Sequence, residues 1–539
     1  MLLLLAWPLV VGLVCTTLAV AADMFSHQDA NETGGHGKYY WSKRGTATSN
    51  SFTTVEAPQG PSYLSWIWYN ELDEEVRFSP LIDGDRNIYL QTGMRVRKFS
   101  VDGYLLWTWN VDPSTDGKMN IAGVLHEGMM VVLTNWQHCW NATLQYHGAV
   151  IALSMETGMQ IFRQNIMHCL GMDCSSLFIE KDVLIYGAME PVRARHGFGE
   201  DGTNLVVAMN LTSLEEIWTY ATDDIMWNFM PSSVGDGTIV FSSTCGGVYR
   251  IGLHHGDQVW HRGRKGAPGV ARWCGAAGGV MGPDGYFYAE YNDHHSDRSL
   301  TSLGKLAKFR LSDGERLWER AVGLHSGLPP ELMTRRHQVE LGAWQYPSIG
   351  PINGRMTVVA TFGGINALPP YPGHWKTPDI FKLAAYMAYL TSPWVRRVFF
   401  DAPVLMNEVL AVDAETGTVL WRYVMPSWDH FASVSDESEM GRRYHQMMMA
   451  GSSDVHSDLL CVPDNQGIPV ITGDGSVYAT DSHFGALFVI KDRNKDGIIA
   501  DDEVFKFETN KEFLNSPSFA PGMVVAAPCW GNTYVFREY

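Results

Sequence analysis

The chain is 539 residues long, 45% apolar, with 53 Gly, 19 Trp and 22 Tyr, and its formal net charge is −18. That excess of carboxylates excludes nucleic acid and anionic membrane surfaces, which select basic patches, and it favours divalent cations. The apolar content is ample for a large core, and a β architecture of this length often forms a single unit.

Residues 1–22 read as a signal peptide. Met1 to Leu18 is nearly all apolar, and Leu18-Ala-Val-Ala-Ala22 offers small residues for cleavage. An uncleaved membrane anchor is the alternative, because the apolar run approaches spanning length. Three glycosylation sequons begin at Asn31, Asn141 and Asn210. With the leader, they point to a secreted protein or one in the secretory-pathway lumen. Residues 23–62 are assigned to an N-terminal extension, and 63–539 to the folded unit.

From there one pattern recurs: a strand, a tight turn ending in Gly, then a strand carrying an aromatic residue. Leu410-Ala-Val-Asp413-Ala-Glu-Thr-Gly417-Thr-Val-Leu-Trp421 is its fullest form. Related turns precede Trp107, Phe162, Trp218, Trp260 and Trp318, and Phe505 takes the same position late in the chain. A period of roughly fifty residues with four strands per unit is the signature of a propeller. The last unit lacks one strand, and Tyr63-Leu-Ser-Trp66-Ile-Trp68 has the outer-strand pattern with no unit before it. Pairing the two would close the ring and remove its open edge. The expected fold is therefore all-β: an eight-bladed propeller whose last blade is completed by an N-terminal strand. In the sixth unit, Trp344-Gln-Tyr-Pro347 and Met356-Thr-Val-Val-Ala-Thr361 are expected as inner strands.

The repeat resembles that of the quinoprotein alcohol dehydrogenase-like propellers, over nearly all of the chain after Tyr63. The resemblance implies one of two functions. Some relatives are enzymes using pyrroloquinoline quinone (PQQ) with calcium to oxidise alcohols or sugars. There a Glu and an Asn hold the ion, an Asp is the base and a Trp stacks on the quinone. Others are binding scaffolds without catalysis. No segment here matches the enzymes' active-site motifs, and their adjacent cysteine pair is missing. The expected function is binding, of a protein or glycan ligand, with PQQ-dependent oxidation as the alternative.

An insertion over 368–402 interrupts the sixth unit. Thr377-Pro-Asp379 opens it like a capped helix, and the following residues are apolar nearly all round. The expectation is a lid on the propeller, or a contact to a partner or membrane through 377–400. After Cys15, seven cysteines remain, an odd number that leaves at least one without an intrachain partner. Disulfides are favoured over metal, with Cys169, Cys174 and Cys139 as near neighbours. The pairs His254-His255 and His294-His295 read as polar loops, because adjacent strand residues face opposite ways. Trp428-Asp-His430 and Arg442-Arg-Tyr-His445 are candidates for a channel mouth.

One segment has the spacing of a calcium loop. In Asp492-Arg-Asn494-Lys-Asp496-Gly497-Ile498-Ile499-Ala500-Asp-Asp-Glu503, oxygen-bearing side chains fall at positions one, three and five. Gly497 supplies the turn, Ile498 a backbone carbonyl, and Glu503 a bidentate clamp. Asp492, Asn494, Asp496, Ile498 and Glu503 are the expected ligands, with Ala500 acting through a water and Ile499 facing inward. The flanks, Gly485–Ile490 and Val504–Phe507, are short and β-branched or aromatic, so they read as strands. An EF-hand-like loop at a blade turn is expected, replacing the Thr-Gly turn of other units, and not a helix-loop-helix sensor.

Overall fold

The computed structural model describes residues 39–46, 51–72, 74–76, 78–135, 146–170, 175–189, 203–263, 277–293, 303–325, 339–363, 388, 392–395, 398, 406–428, 434 and 466–538. Eight antiparallel sheets form the propeller. Blades 1 to 5 end in outer strands Leu105–Asn110, Gln160–Ile166, Glu216–Ala221, Gln258–Arg262 and Arg316–Arg320. Blades 6 and 7 end in Val419–Val424 and Val504–Glu508. Blade 8 is built from Ser518–Ala520, Met523–Ala526 and Thr533–Arg537, with Leu64–Trp68 paired to the last of these. The N-terminal strand thus closes the ring as its sequence pattern predicts.

Five outer-strand indoles dock on the next blade's outer hairpin, that of Trp218 by donating to the Leu253 carbonyl at 2.9 Å. The Trp107 indole donates to the Met155 carbonyl at 3.1 Å, Trp260 to Leu311 at 2.7 Å, and Trp318 to Ala414 at 3.2 Å. Trp66 does the same across the closure, to Val101 at 2.9 Å. A glycine lies beneath each of these five rings. Gly158, Gly314 and Gly417 have φ of +71°, +72° and +72°, and a Cβ there would come within 2.6, 2.7 and 3.0 Å of the indole. Four of the accepting carbonyls take a second, cationic donor: Lys98 on Met155, Arg250 on Leu311, Lys308 on Ala414 and Arg537 on Val101, at 2.7 to 3.0 Å. An indole and a charged donor on one carbonyl lock neighbouring blades in register.

Two expectations are corrected. Tyr39–Trp41, assigned to the extension, forms an innermost fifth strand of blade 1, paired with Leu81–Asp83. Trp344-Gln-Tyr-Pro347 is not a strand; it separates Gly342–Ala343 from Ser348–Ile352, both paired with Arg355–Gly363. Pro347 has no N–H for the ladder, so the edge breaks there. The expected helix at 377–391 lies outside the described residues except Ala388; a short turn at Pro393–Val395 follows.

The rest of the N-terminal segment straps one end of the channel, the end holding the turns between first and second strands. Leu125 N–H donates to the Ser42 carbonyl (2.8 Å), Arg44 to Gln345 (2.8 Å), Ser348 to the Ser51 carbonyl (2.7 Å) and Thr53 N–H to the Ile471 carbonyl (3.0 Å). Gln59 reaches Asp474 at 2.6 Å, and Gly522 N–H the Glu56 carbonyl at 3.3 Å. At the opposite end the second strands of blades 2, 3, 5 and 6 finish at Asn135, Ala188, Asp293 and Gly363.

Candidate functional site

The loop 492–503 joins the third and outer strands of blade 7, the hairpin on which Trp421 would dock. Its backbone adopts the turn that the spacing predicts. Gly497 has φ +79°, and a Cβ there would lie 2.9 Å from the Leu420 carbonyl of blade 6. The Asp492 carboxylate accepts from Gly497 N–H at 3.0 Å, Asn494 Oδ1 from Asp496 N–H at 3.0 Å, and Asp496 Oδ1 from Ile498 N–H at 2.8 Å. Ile498 points out, 68% exposed, while Ile499 packs against the core shared with Trp421, Phe488 and Ile490.

Glu503 is buried, and its carboxylate gathers three amides: Arg493 at 2.7 Å, Asn494 at 3.2 Å and Ala500 at 3.1 Å. These donors, Ala500 first, hold its pKa below the usual glutamate range. Asp492 Oδ1 is buried with no partner, the one oxygen of the loop left orphaned. The donor set is all oxygen, suited to a hard cation. Among the described residues, however, no three His, Cys, Asp or Glu side chains are gathered to hold a metal. The carboxylates are turned to the loop's own amides, and closing on an ion requires Glu503 to release some of them.

A second polar region lies where the second strands end, away from the strap. Several of its groups pair, two of the pairs between blades and one within blade 6. Asn407 hydrogen-bonds to Asp481, and Glu408 accepts from Arg422 at 2.6 Å. Asn292 donates to the Ala343 carbonyl at 2.8 Å and accepts its N–H at 2.7 Å. Burial pushes the Glu408 carboxyl up to about 7 despite Arg422, and Asp481 up to about 6. Glu290 differs: it is fully buried, and neither carboxyl oxygen has a partner. Burial raises its pKa well above the ordinary glutamate range, which favours the neutral form. Sequence reasoning missed it. The signal is parity: in Tyr286–Asp293, Glu290 shares the face of Tyr288 and Asn292, which meets blade 6.

Trp428 lies flat against His483, with ring centroids 4.2 Å apart. His430, Arg442, Arg443, His445, His294 and His295 lie outside the described residues. His254 and His255 occupy an exposed turn, as expected.

Among solved structures, the chain is similar to a quinohemoprotein alcohol dehydrogenase from Comamonas testosteroni, at 12% identity, covering 94% of this chain and 81% of that one, with TM-score 0.54. It is similar to a europium-containing methanol dehydrogenase at 10% identity, covering 95% and 100%, with TM-score 0.55. BamB from Moraxella catarrhalis aligns at 14% identity over 88% and 100%, but its TM-score of 0.48 carries no weight. No family model and no curated protein matches. Likeness at these identities shows the propeller fold alone.

Proposed function

We propose that this chain is a secreted or lumenal propeller that works by binding, with one calcium in the 492–503 loop stapling blade 7 to blade 6. The observation that carries the reading is the hydrogen bonding across blades of Asn407 with Asp481 and of Asn292 with the Ala343 backbone, with Glu408 held by Arg422 within blade 6. Polar groups bonded between blades stiffen a scaffold. Among the described residues no three His, Cys, Asp or Glu side chains are gathered at that end to hold a quinone's ion, and no step is derived through PQQ. The orphaned Asp492 oxygen and the turn at Gly497 support calcium, with Asp492, Asn494, Asp496, Ile498 and Glu503 as ligands.

An oxidising compartment is supported by the cysteines. Cys169, Cys245 and Cys529 are disulfide-bonded, and the other five cysteines lie outside the described residues. Asn210 stands at a turn where a glycan has room, although its side-chain N–H now donates to Asp182 at 2.7 Å.

The test titrates PQQ into the calcium-loaded, signal-free protein while tryptophan fluorescence is followed. No change, with calcium bound one to one by calorimetry, is the expected result. Saturable quenching at one-to-one stoichiometry would overturn the binding reading in favour of a dehydrogenase.

A further inference from the structure

An outer strand is the free edge of its blade, with one row of backbone N–H and C=O groups unpaired. Proteins usually guard such edges with charge, and six of the eight blades here follow that rule. Blade 2 carries Arg163, blade 3 Glu216, blade 4 Arg262, blade 5 Arg316, Glu319 and Arg320, blade 6 Arg422, and blade 7 Lys506 and Glu508. The two exceptions are neighbours across the ring closure. The outer strand of blade 8 reads Leu-Ser-Trp-Ile-Trp over Leu64–Trp68, and that of blade 1 reads Leu-Leu-Trp-Thr-Trp-Asn over Leu105–Asn110. Neither contains a charge.

The same region concentrates exposed apolar side chains. Tyr104 is 74% exposed, Leu105 55% and Leu106 50%, and Tyr69 and Leu72 near the end of the blade 8 strand are exposed as well. These bodies do not serve the core: Trp107 and Trp109 hold that role, packed against the main cluster. The blade 1 edge is bracketed by carboxylates. Asp102 precedes it, its side chain 60% exposed although one oxygen takes Arg537 at 2.8 Å. Asp112 follows it, exposed, accepting from Ser114 N–H at 2.9 Å, and Ser114's side chain holds its pKa below the usual aspartate range.

We propose that the blade 1 edge, Leu105–Asn110, is a docking surface for an extended segment of another polypeptide, apolar in its middle and basic at its ends. The segment would add as a further strand, main chain to main chain, as edge strands accept peptides. Its basic ends would meet Asp102 and Asp112, within the field of a chain whose net charge is −18. Edges elsewhere in the ring repel such a segment or cost it a desolvated charge. This inference gives the binding reading a partner and rests on that reading, but not on calcium.

The probe is a capped peptide of three Val alternating with two Thr, with Lys at each end, added to the full signal-free chain. Amide hydrogen exchange should show new protection at 105–110 and none at Glu216–Ala221, whose edge carries a charge. L106K should weaken the peptide by about tenfold or more, with the melting temperature unchanged. If L106K does not fold, D112N serves instead, weakening binding by about two- to threefold and flattening its salt dependence. Equal protection at both edges, or none at 105–110 under saturating peptide, overturns the proposal. So does a self-associated species that L106K dissociates, since the occupant would then be a second copy. A dehydrogenase would be exposed by the PQQ titration and not by this exchange pattern, so the two failures are distinct.

Discussion

The two ends of the propeller are stabilised by different chemistry. At the strapped end the same device recurs: a docking indole, a glycine beneath it, and often a cation backed by an acid and a tyrosine. Asp83, Tyr89 and Lys98 in blade 1 are matched by Asp284, Tyr288 and Lys308 in blade 5. At the other end the buried groups are individual: an amide with an acid, an acid with an arginine, and one acid alone. The repeated device recurs wherever its turn and its indole recur; the individual bonds depend on particular residues, from neighbouring blades for Asn407 and Asp481 and within blade 6 for Glu408 and Arg422. One end was built by repetition and the other by local solutions.

The largest expected effect falls on the repeated end. Trp318→Ala removes a buried indole, its hydrogen bond to Ala414 and the cover over Gly417, and should cost about 3–5 kcal/mol. Urea unfolding followed by fluorescence measures it. A loss under about 1 kcal/mol would break the claim that docking holds the blades together.

Next comes the loop at 492–503, proposed above as an ion site. Saturating calcium at about a hundred times its dissociation constant should add about 2.7 kcal/mol. Glu503→Gln should abolish most of that gain, and an unchanged calorimetric titration in this variant would remove the ligand assignment.

Acid-base behaviour separates the ends with opposite slopes. Glu408 and Asp481 have folded pKa values raised to about 7 and about 6. Their contribution is full below the unfolded carboxylate range and is lost as pH rises through these values. Thermal stability from this end should therefore fall from about pH 4 to about pH 7. Lys43 of the strap is buried, lies 4.5 Å over Phe178, and is pushed down to about 7 by burial, with Glu180 opposing. Its unfolded form holds the proton longer, so its cost grows as pH falls from the ordinary lysine range to about 7. Lys43→Met should remove the alkaline limb of the profile and leave the acidic limb intact. Melting temperature against pH for wild type and K43M reads both slopes.

The smallest effect is expected at Glu290. Because it is buried and unpartnered and burial favours its neutral form, Glu290→Gln should change stability at pH 7 by less than about 1 kcal/mol. A large loss would mean that the carboxyl is engaged in the folded protein and that the upper end is not a set of independent pairs.

The sequence by itself determined the ring. Docking aromatics at regular intervals, glycines one turn before them and an orphan Trp66 strand were enough to predict the blades and their closure, because strand periodicity and turn chemistry are local. The outline of the loop at 492–503 was legible for the same reason. What only the tertiary structure decided lies between distant segments. Tyr39–Trp41 joins blade 1 and the strap crosses to Ile471 of blade 7, contacts that no local pattern encodes. The pairing of Asn407 with Asp481, the isolation of Glu290 and the bare edges meeting at the closure depend on which blade faces which. Burial and partnership belong to the assembled ring, since a carboxylate's surroundings are set by side chains hundreds of residues away.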